Sequence, residues 1–128
     1  MLTAYQVGQK LVELCKQGKN MEAIDTLYAP NVVSVEAVEM PGMPARAEGL
    51  VAVKARKQGF YANTTVHSSS AEGPWPHGER FIVNFSIDMT AKQGPMAGQR
   101  MAMKEAALFT VKNGKITQEE FFYGGCDK

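Results

Sequence analysis

Glu105 is the carboxylate that hydrophobic patterning does not account for. Taken as every second residue of a strand, Met101, Met103, Glu105, Ala107, Phe109 and Val111 share one face, so the acid stands in line with five apolar neighbours. An ionised group in that setting is costly unless a partner satisfies it. An apolar surrounding keeps such a carboxyl protonated, and the neutral acid can donate a hydrogen bond to an oxyanion developing on a ligand. The competing reading is a salt bridge, because a bulge would turn Glu105 outward beside Lys104. His67, among Thr64, Thr65, Val66, Ser68 and Ser69, is a second candidate, since imidazole exchanges protons near neutral pH. Its competing reading is an ordinary hydrogen-bonded strand histidine, and His77, between Pro76 and Gly78, reads as a turn residue. Glu36 alternates with Ser34 and Val38, opposite Val33, Val35 and Ala37, and the residues alone do not fix which side faces inward.

These groups need a scaffold, and the pattern supplies one. Thr3 can cap a first helix with Val7, Leu11, Leu14 and Cys15 at helical spacing and Gly18 beyond its end. Asn20 can cap a second, carrying Ala23, Ile24, Leu27 and Tyr28, which stops before Pro30. The β-branched run 31–38 predicts a strand, the proline-flanked segment 40–44 a loop, and Leu50, Val53 and Phe60 with Lys54, Arg56 and Lys57 a third helix over 48–62. Further strands are expected at 64–72, 79–92, 99–112 and 115–124, with 73–78 as a turn and Asn113-Gly114 as a tight hairpin. Along 79–92, Phe81, Val83, Phe85, Ile87 and Met89 form one oily face opposite Ile82, Asn84, Ser86, Asp88 and Thr90. On the last strand, Thr117, Glu119, Phe121 and Tyr123 share a face and Ile116, Gln118, Glu120 and Phe122 the other, with parity open. The order α-α-β-α-β-β-β-β predicts an α+β domain whose mostly antiparallel sheet is covered by helices on one side.

Composition narrows the partners. The 128 residues fit one domain, residues 1–128, and a formal net charge of +1 leaves no basic stripe for nucleic acid. Cys15 and Cys126 have no metal-ligand spacing and suit a reducing cytoplasm, and no apolar run is long enough for a membrane span. No GxGxxG or phosphate loop is present, so neither nucleotide, other cofactor nor metal is expected. The eight methionines, with Met40, Met43, Met89, Met96, Met101 and Met103 placed around the oily face, suit an adaptable apolar pocket or an ordinary core.

The order of elements, with the segments Leu27-Tyr28-Ala29-Pro30-Asn31-Val32-Val33, Glu48-Gly49-Leu50-Val51-Ala52-Val53, Gly94-Pro95-Met96-Ala97-Gly98 and 109–116, resembles the ketosteroid-isomerase-like and nuclear-transport-factor-like superfamily, which includes SnoaL-like polyketide cyclases. The resemblance implies a cone, in which a bent sheet wraps the first helix around a deep apolar pocket and the outer face pairs two subunits. It places Glu36 where ketosteroid isomerases have a general-base aspartate. Their oxyanion tyrosine falls at Leu11 and their oxyanion aspartate at Ala107, departures that count against steroid isomerisation. It also turns Glu119, Phe121 and Tyr123 toward the pocket, where Tyr123 would orient a ligand carbonyl.

Together these readings predict a pocket for a small apolar molecule bearing a carbonyl or hydroxyl. Glu36, His67 and Glu105 are the catalytic candidates, and Leu11, Val83, Phe85, Ile87, Met103, Phe109, Glu119, Phe121 and Tyr123 the lining. The chemistry expected is proton transfer in a cofactor-independent isomerase, cyclase or dehydratase, the alternative being a non-catalytic carrier or dimeric interaction module. Ile82, Ala102, Ala106, Leu108 and Phe122, interspersed with Asn84, Ser86, Lys104 and Gln118, make an outer face suited to a homodimer.

Overall fold

The computed structural model describes residues 1–39 and 42–124, so Met40, Pro41 and Cys126 lie outside the described residues. Three helices, α1 (Ala4–Lys16), α2 (Asn20–Leu27) and α3 (Leu50–Ala62), pack against a six-stranded sheet. Its strands are β1 (Tyr28–Val35), β2 (Arg46–Glu48), β3 (Thr64–His77), β4 (Arg80–Ala91), β5 (Arg100–Lys112) and β6 (Lys115–Phe122), in the order β2-β1-β6-β5-β4-β3. Only β1 and β6 run parallel. The sheet does not close on itself, and the arrangement is the α+β one that the residue pattern predicts, consistent with the cone that the resemblance implies. None of the described helices is long and apolar enough to cross a membrane.

Local chemistry explains the element ends. Thr3 closes a capping box on α1, its hydroxyl accepting from the Gln6 amide at 3.1 Å while the Gln6 side chain accepts from the Thr3 amide at 3.0 Å. Asn113 and Gly114, both at positive φ, form the turn between β5 and β6. The second helix differs from expectation in its cap, which is Lys19. Three strand boundaries also differ. β1 begins at Tyr28 and runs through Pro30, which is tolerated because the β1–β6 register shifts between Tyr28 and Val33. β3 continues through the expected turn at 73–76, because it is the outermost strand and bends at a register shift between Glu72 and Trp75. β2, three residues paired with the end of β1, is too short to carry a periodic signal.

A bulge sets the parity of the last strand. Val111 pairs with Ile116 but Thr110 pairs with Gln118, so Thr117 is the extra residue, and its hydroxyl donates to the Thr110 carbonyl at 3.3 Å. Ile116, Glu119 and Phe121 therefore all face inward. The core against α1 holds Val7, Leu11, Val32, Val53, Phe81, Val83, Phe109 and Ile116, with the Phe81 and Phe109 rings stacked 4.9 Å apart.

α1 reaches the sheet at a glycine. A Cβ on Gly8 would stand 2.7 Å from Pro74 Cβ and 3.1 Å from Phe81 Cδ1, whereas a Cβ on Gly59 of α3 meets nothing within 4 Å. Alanine gains about 1 kcal/mol of helix propensity at either position, but at Gly8 overpacking of about 1–3 kcal/mol opposes it. In urea denaturation Gly59→Ala should therefore be the more stable variant by about 1–3 kcal/mol. Equal midpoints would mean that α1 does not press on Pro74.

Candidate functional site

The inner face of the sheet is layered from a sealed end to a partly open one. In the first layer Phe81 pairs with Phe109, Phe109 with Glu119, and Glu119 with Ser34 across the parallel ladder. Glu119 is 0% exposed. The Tyr28 hydroxyl donates to its Oε1, and the Ser34 hydroxyl donates to Oε2 at 2.7 Å. Hydrogen bonds to an ionised group contribute about 1.5–3 kcal/mol each, which offsets the desolvation of this carboxylate. Burial, then the charge and hydrogen bond of Glu119, push the Tyr28 phenol well above its usual range.

In the next layer Val83 pairs with Ala107 and Ala107 with Phe121. Lys57 of α3 places its ammonium 4.6 Å from the centre of the Phe121 ring, a cation–π contact. Lys57 lies on the helix face of Val53 and Phe60, at i+4 and i−3, so the fold carries a cation into the middle of an apolar stripe. Burial works to lower its pKa, but the opposing pull of Glu119, Glu105 and Glu36, joined by Tyr61, leaves it raised. The ammonium form is the one this site holds.

In the third layer Phe85 pairs with Glu105. Glu105 is half-buried, and its pKa is raised by desolvation, which outweighs the lowering by Lys57 and is reinforced by Glu36 and Glu119. It has no salt bridge among the described residues. Glu36, just past the end of β1, accepts from the Tyr123 hydroxyl at 3.0 Å and lies 3.8 Å from Arg56 Nη1. Arg56 also donates to the carbonyls of Ala45 and Pro44, at 3.1 and 2.8 Å, which ties the segment before β2 to this rim. Burial first, then Glu36, push the Tyr123 phenol up to about 12.

Glu36 and Glu105 thus both act on Lys57 through their charge, and His67 does not join them. Its side chain is exposed, with Nε2 2.7 Å from the Thr90 hydroxyl, beside the outward pair Asp88–Arg100. His67 alternates with the inward Val66, whose pairing with Met89 sets that parity. Part of the expected lining is also relocated. Leu11, Val83 and Phe109 are sealed in the core, and Glu119 has both oxygens engaged by protein hydroxyls. Phe85 and Ile87 do line a cavity, with Cys15, Asn20, Tyr61 and Val66, but its volume is about 40 Å³. That is little more than one water, against about 300–1,000 Å³ for typical ligand pockets. Cys15 and Tyr61 lie within electrostatic reach of Lys57, so the cavity adjoins the charged cluster; burial pushes the Cys15 thiol up to about 11. Met103, paired with Ile87, is half-buried beside it.

Lys57, Tyr28 and Ser34 are the members that sequence reasoning passed over. Lys57 had a legible signal, its i+4 and i−3 spacing from Val53 and Phe60. Ser34 and Tyr28 had none, because their role depends on a parallel pairing with a strand more than 80 residues away.

The raised Glu105 pKa has a sign. A carboxyl whose folded pKa exceeds its unfolded value supports the fold fully below the unfolded pKa, and this support is lost as pH rises through the folded value. Glu105→Gln removes that ionisation, so the variant should gain on the wild type between pH 4 and pH 8. Read from urea midpoints, the gain should accumulate at no more than about 1.4 kcal/mol per pH unit, the limit for a single proton. A variant that loses ground over this range would show that Glu105 is stabilised as a charged partner.

A family model described as SnoaL-like domain matches residues 2–123. No curated protein matches the chain. Among solved structures, one named as a SnoaL-like polyketide cyclase from Mesorhizobium loti is 38% identical, with a TM-score of 0.88 over 95% of this chain and 100% of that one. An NTF2-like protein of unknown function from Burkholderia pseudomallei is 17% identical, with a TM-score of 0.74 over 97% and 92%. An LEH-like epoxide hydrolase from M. tuberculosis is 12% identical, with a TM-score of 0.67 over 94% and 82%. The last two show the fold alone. With the family match running from the start of α1 past the end of β6, and a relative 38% identical over its full length, the chain belongs to the SnoaL-like family.

Proposed function

We propose that the chain binds a small neutral carbonyl compound at the Glu36–Lys57–Glu105 cluster and moves a proton next to the carbonyl, as a cofactor-independent isomerase, cyclase or dehydratase. The supporting observation is that two half-buried carboxylates and an ammonium lie within electrostatic reach of one another, at the layer where the sheet ceases to be sealed. Glu36 is the base. Tyr123 and Arg56 fix its orientation without enclosing it. It takes the proton from the carbon beside the carbonyl, the C–H electron pair becomes the enolate double bond, and the carbonyl π pair moves to oxygen. The same proton, returned at another carbon, completes an isomerisation with no net oxidation. Glu105, within electrostatic reach of both Glu36 and Lys57, is the second proton-bearing group. Entry requires Tyr61, 37% exposed at the end of α3, to swing from the 40 Å³ cavity. The names of the relatives agree with this class of chemistry, one being called a polyketide cyclase and another an isomerase.

The test is conjugation of small β,γ-unsaturated ketones such as 3-cyclohexenone, followed by the ultraviolet band of the enone. The wild type should accelerate it, and Glu36→Gln should lose about 100-fold or more of the acceleration. Equal rates in variant and buffer-corrected wild type would remove Glu36 from the chemistry; no acceleration with any of the ketones would remove the reaction class.

The same reading includes a homodimer through the outer face. Phe122 is 53% and Ile82 40% exposed there, and Trp75 pairs with Ile82 on the same side. An open groove of about 310 Å³, lined by Glu72, Asn84, Phe85, Ser86, Lys104, Glu105, Ala106 and Phe122, crosses this face and suits the side chains of a second copy. Phe122→Lys should halve the mass measured by light scattering. A wild-type monomer, or a variant that stays dimeric, would place self-association elsewhere.

A further inference from the structure

Lys57 and Glu105 share a property unusual for half-buried charges. Among the described residues neither makes a hydrogen bond or an ion pair, although each feels the other's charge. Three of the neighbouring polar groups are engaged. Glu119 is held by Tyr28 and Ser34, Glu36 by Tyr123, and Arg56 by two carbonyls. No fully buried side-chain nitrogen or oxygen in the described residues lacks a partner, so the half-buried Lys57 ammonium, which has none among them, is not completely sealed. Its three N–H donors are unspent, and the face of Phe121 backs it on one side.

The Tyr123 hydroxyl, the donor that the resemblance offered for a ligand oxygen, is already donated to Glu36. A phenol has one such hydrogen. Glu105 has a hydrogen to give only in its protonated form, whereas the ammonium has three at any pH at which it stays charged. Charge further restricts the ligand. Glu36, Glu105 and Glu119 all surround Lys57, so an oxygen that is anionic before reaction meets repulsion, while one that becomes negative only during reaction gains the ammonium without that cost.

We infer that Lys57 is the group that receives the ligand's carbonyl oxygen and holds it as charge develops, and that the site selects neutral ketones or aldehydes over carboxylates. This deepens the proposed function and rests on it for the reaction, though the binding step stands apart from turnover. Glu105, on the adjacent strand, is then left to hold or return the proton.

The experiment uses cyclohexanone labelled with ¹³C at the carbonyl, titrated into the full chain. The wild type should move the carbonyl resonance downfield and shift the Lys57 side-chain ¹⁵N resonance, a readout that needs no variant. Lys57→Met should abolish the carbonyl shift and Lys57→Arg restore it, with circular dichroism confirming both fold. Acetate should displace none of the ketone. For 3-cyclohexenone, the methionine variant should lose about 100–1,000-fold in rate and the arginine variant regain most of it. A carbonyl resonance that stays put in the wild type, or moves equally in Lys57→Met, overturns the inference whatever the turnover. A Lys57-dependent shift without turnover leaves the inference standing and overturns the proposed reaction.

Discussion

The arrangement depends on a carboxylate that has no access to water. Glu119 is sealed between sheet and helices, and its stability there requires the Tyr28 and Ser34 hydroxyls to reach it from the other side of the parallel pair. That requirement fixes the register of β1 against β6, since a slip of one residue would face Ser34 away and leave a bare charge in the core. It also accounts for Lys57. A half-buried ammonium without an ion pair is stable only where negative charge is close, and Glu119 is the largest attractive influence on it. The sealed acid therefore positions a cation for the open layer above it, and the site is built on the core rather than beside it.

The charge pattern across the three layers divides the labour among chemically similar groups. Three glutamates lie within reach of one lysine, yet Glu119 is spent on structure, Glu36 is oriented by a phenol and a guanidinium, and Glu105 is left unpaired with a raised pKa. Environment separates their roles, as it does wherever neighbouring carboxylates are driven to different protonation states. The narrow volume beside them excludes bulk water, which strengthens each of these interactions.

Much of this was legible in the residues. The alternation from Met101 to Val111 placed Glu105 inward without any knowledge of the fold, and the helix spacing, the capping threonine and the Asn113-Gly114 turn gave elements close to those observed. The illegible parts share a cause. The bulge at Thr117 reverses strand parity, so Ile116 and Glu119 face the same way although simple alternation separates them. His67 lies on the outer face because it alternates with the inward Val66, a parity set by the pairing of Val66 with Met89, and the shift after Glu72 carries a strand through two prolines. Bulges and the pairing partner of a strand are set by tertiary context, and a local pattern does not encode them. The same limit hid Tyr28 and Ser34, whereas Lys57 was hidden only because a lysine on a helix reads by default as solvated.

The one parallel pair in the sheet also dictates when the site can exist. Tyr28 and Ser34 leave the ribosome 91 and 85 residues ahead of the carboxylate they hold. Until β6 emerges, β1 has only the three-residue β2 as a partner, and the edge of β5 that β6 will take is unpaired. The sealed charge that steadies the lysine is thus supplied only with β6. A nascent chain stalled before residue 115 would hold all three helices with Glu36, Lys57 and Glu105 but not the Glu119 that steadies the lysine, and such an intermediate presents an unpaired edge and an apolar surface to its neighbours on a crowded polysome.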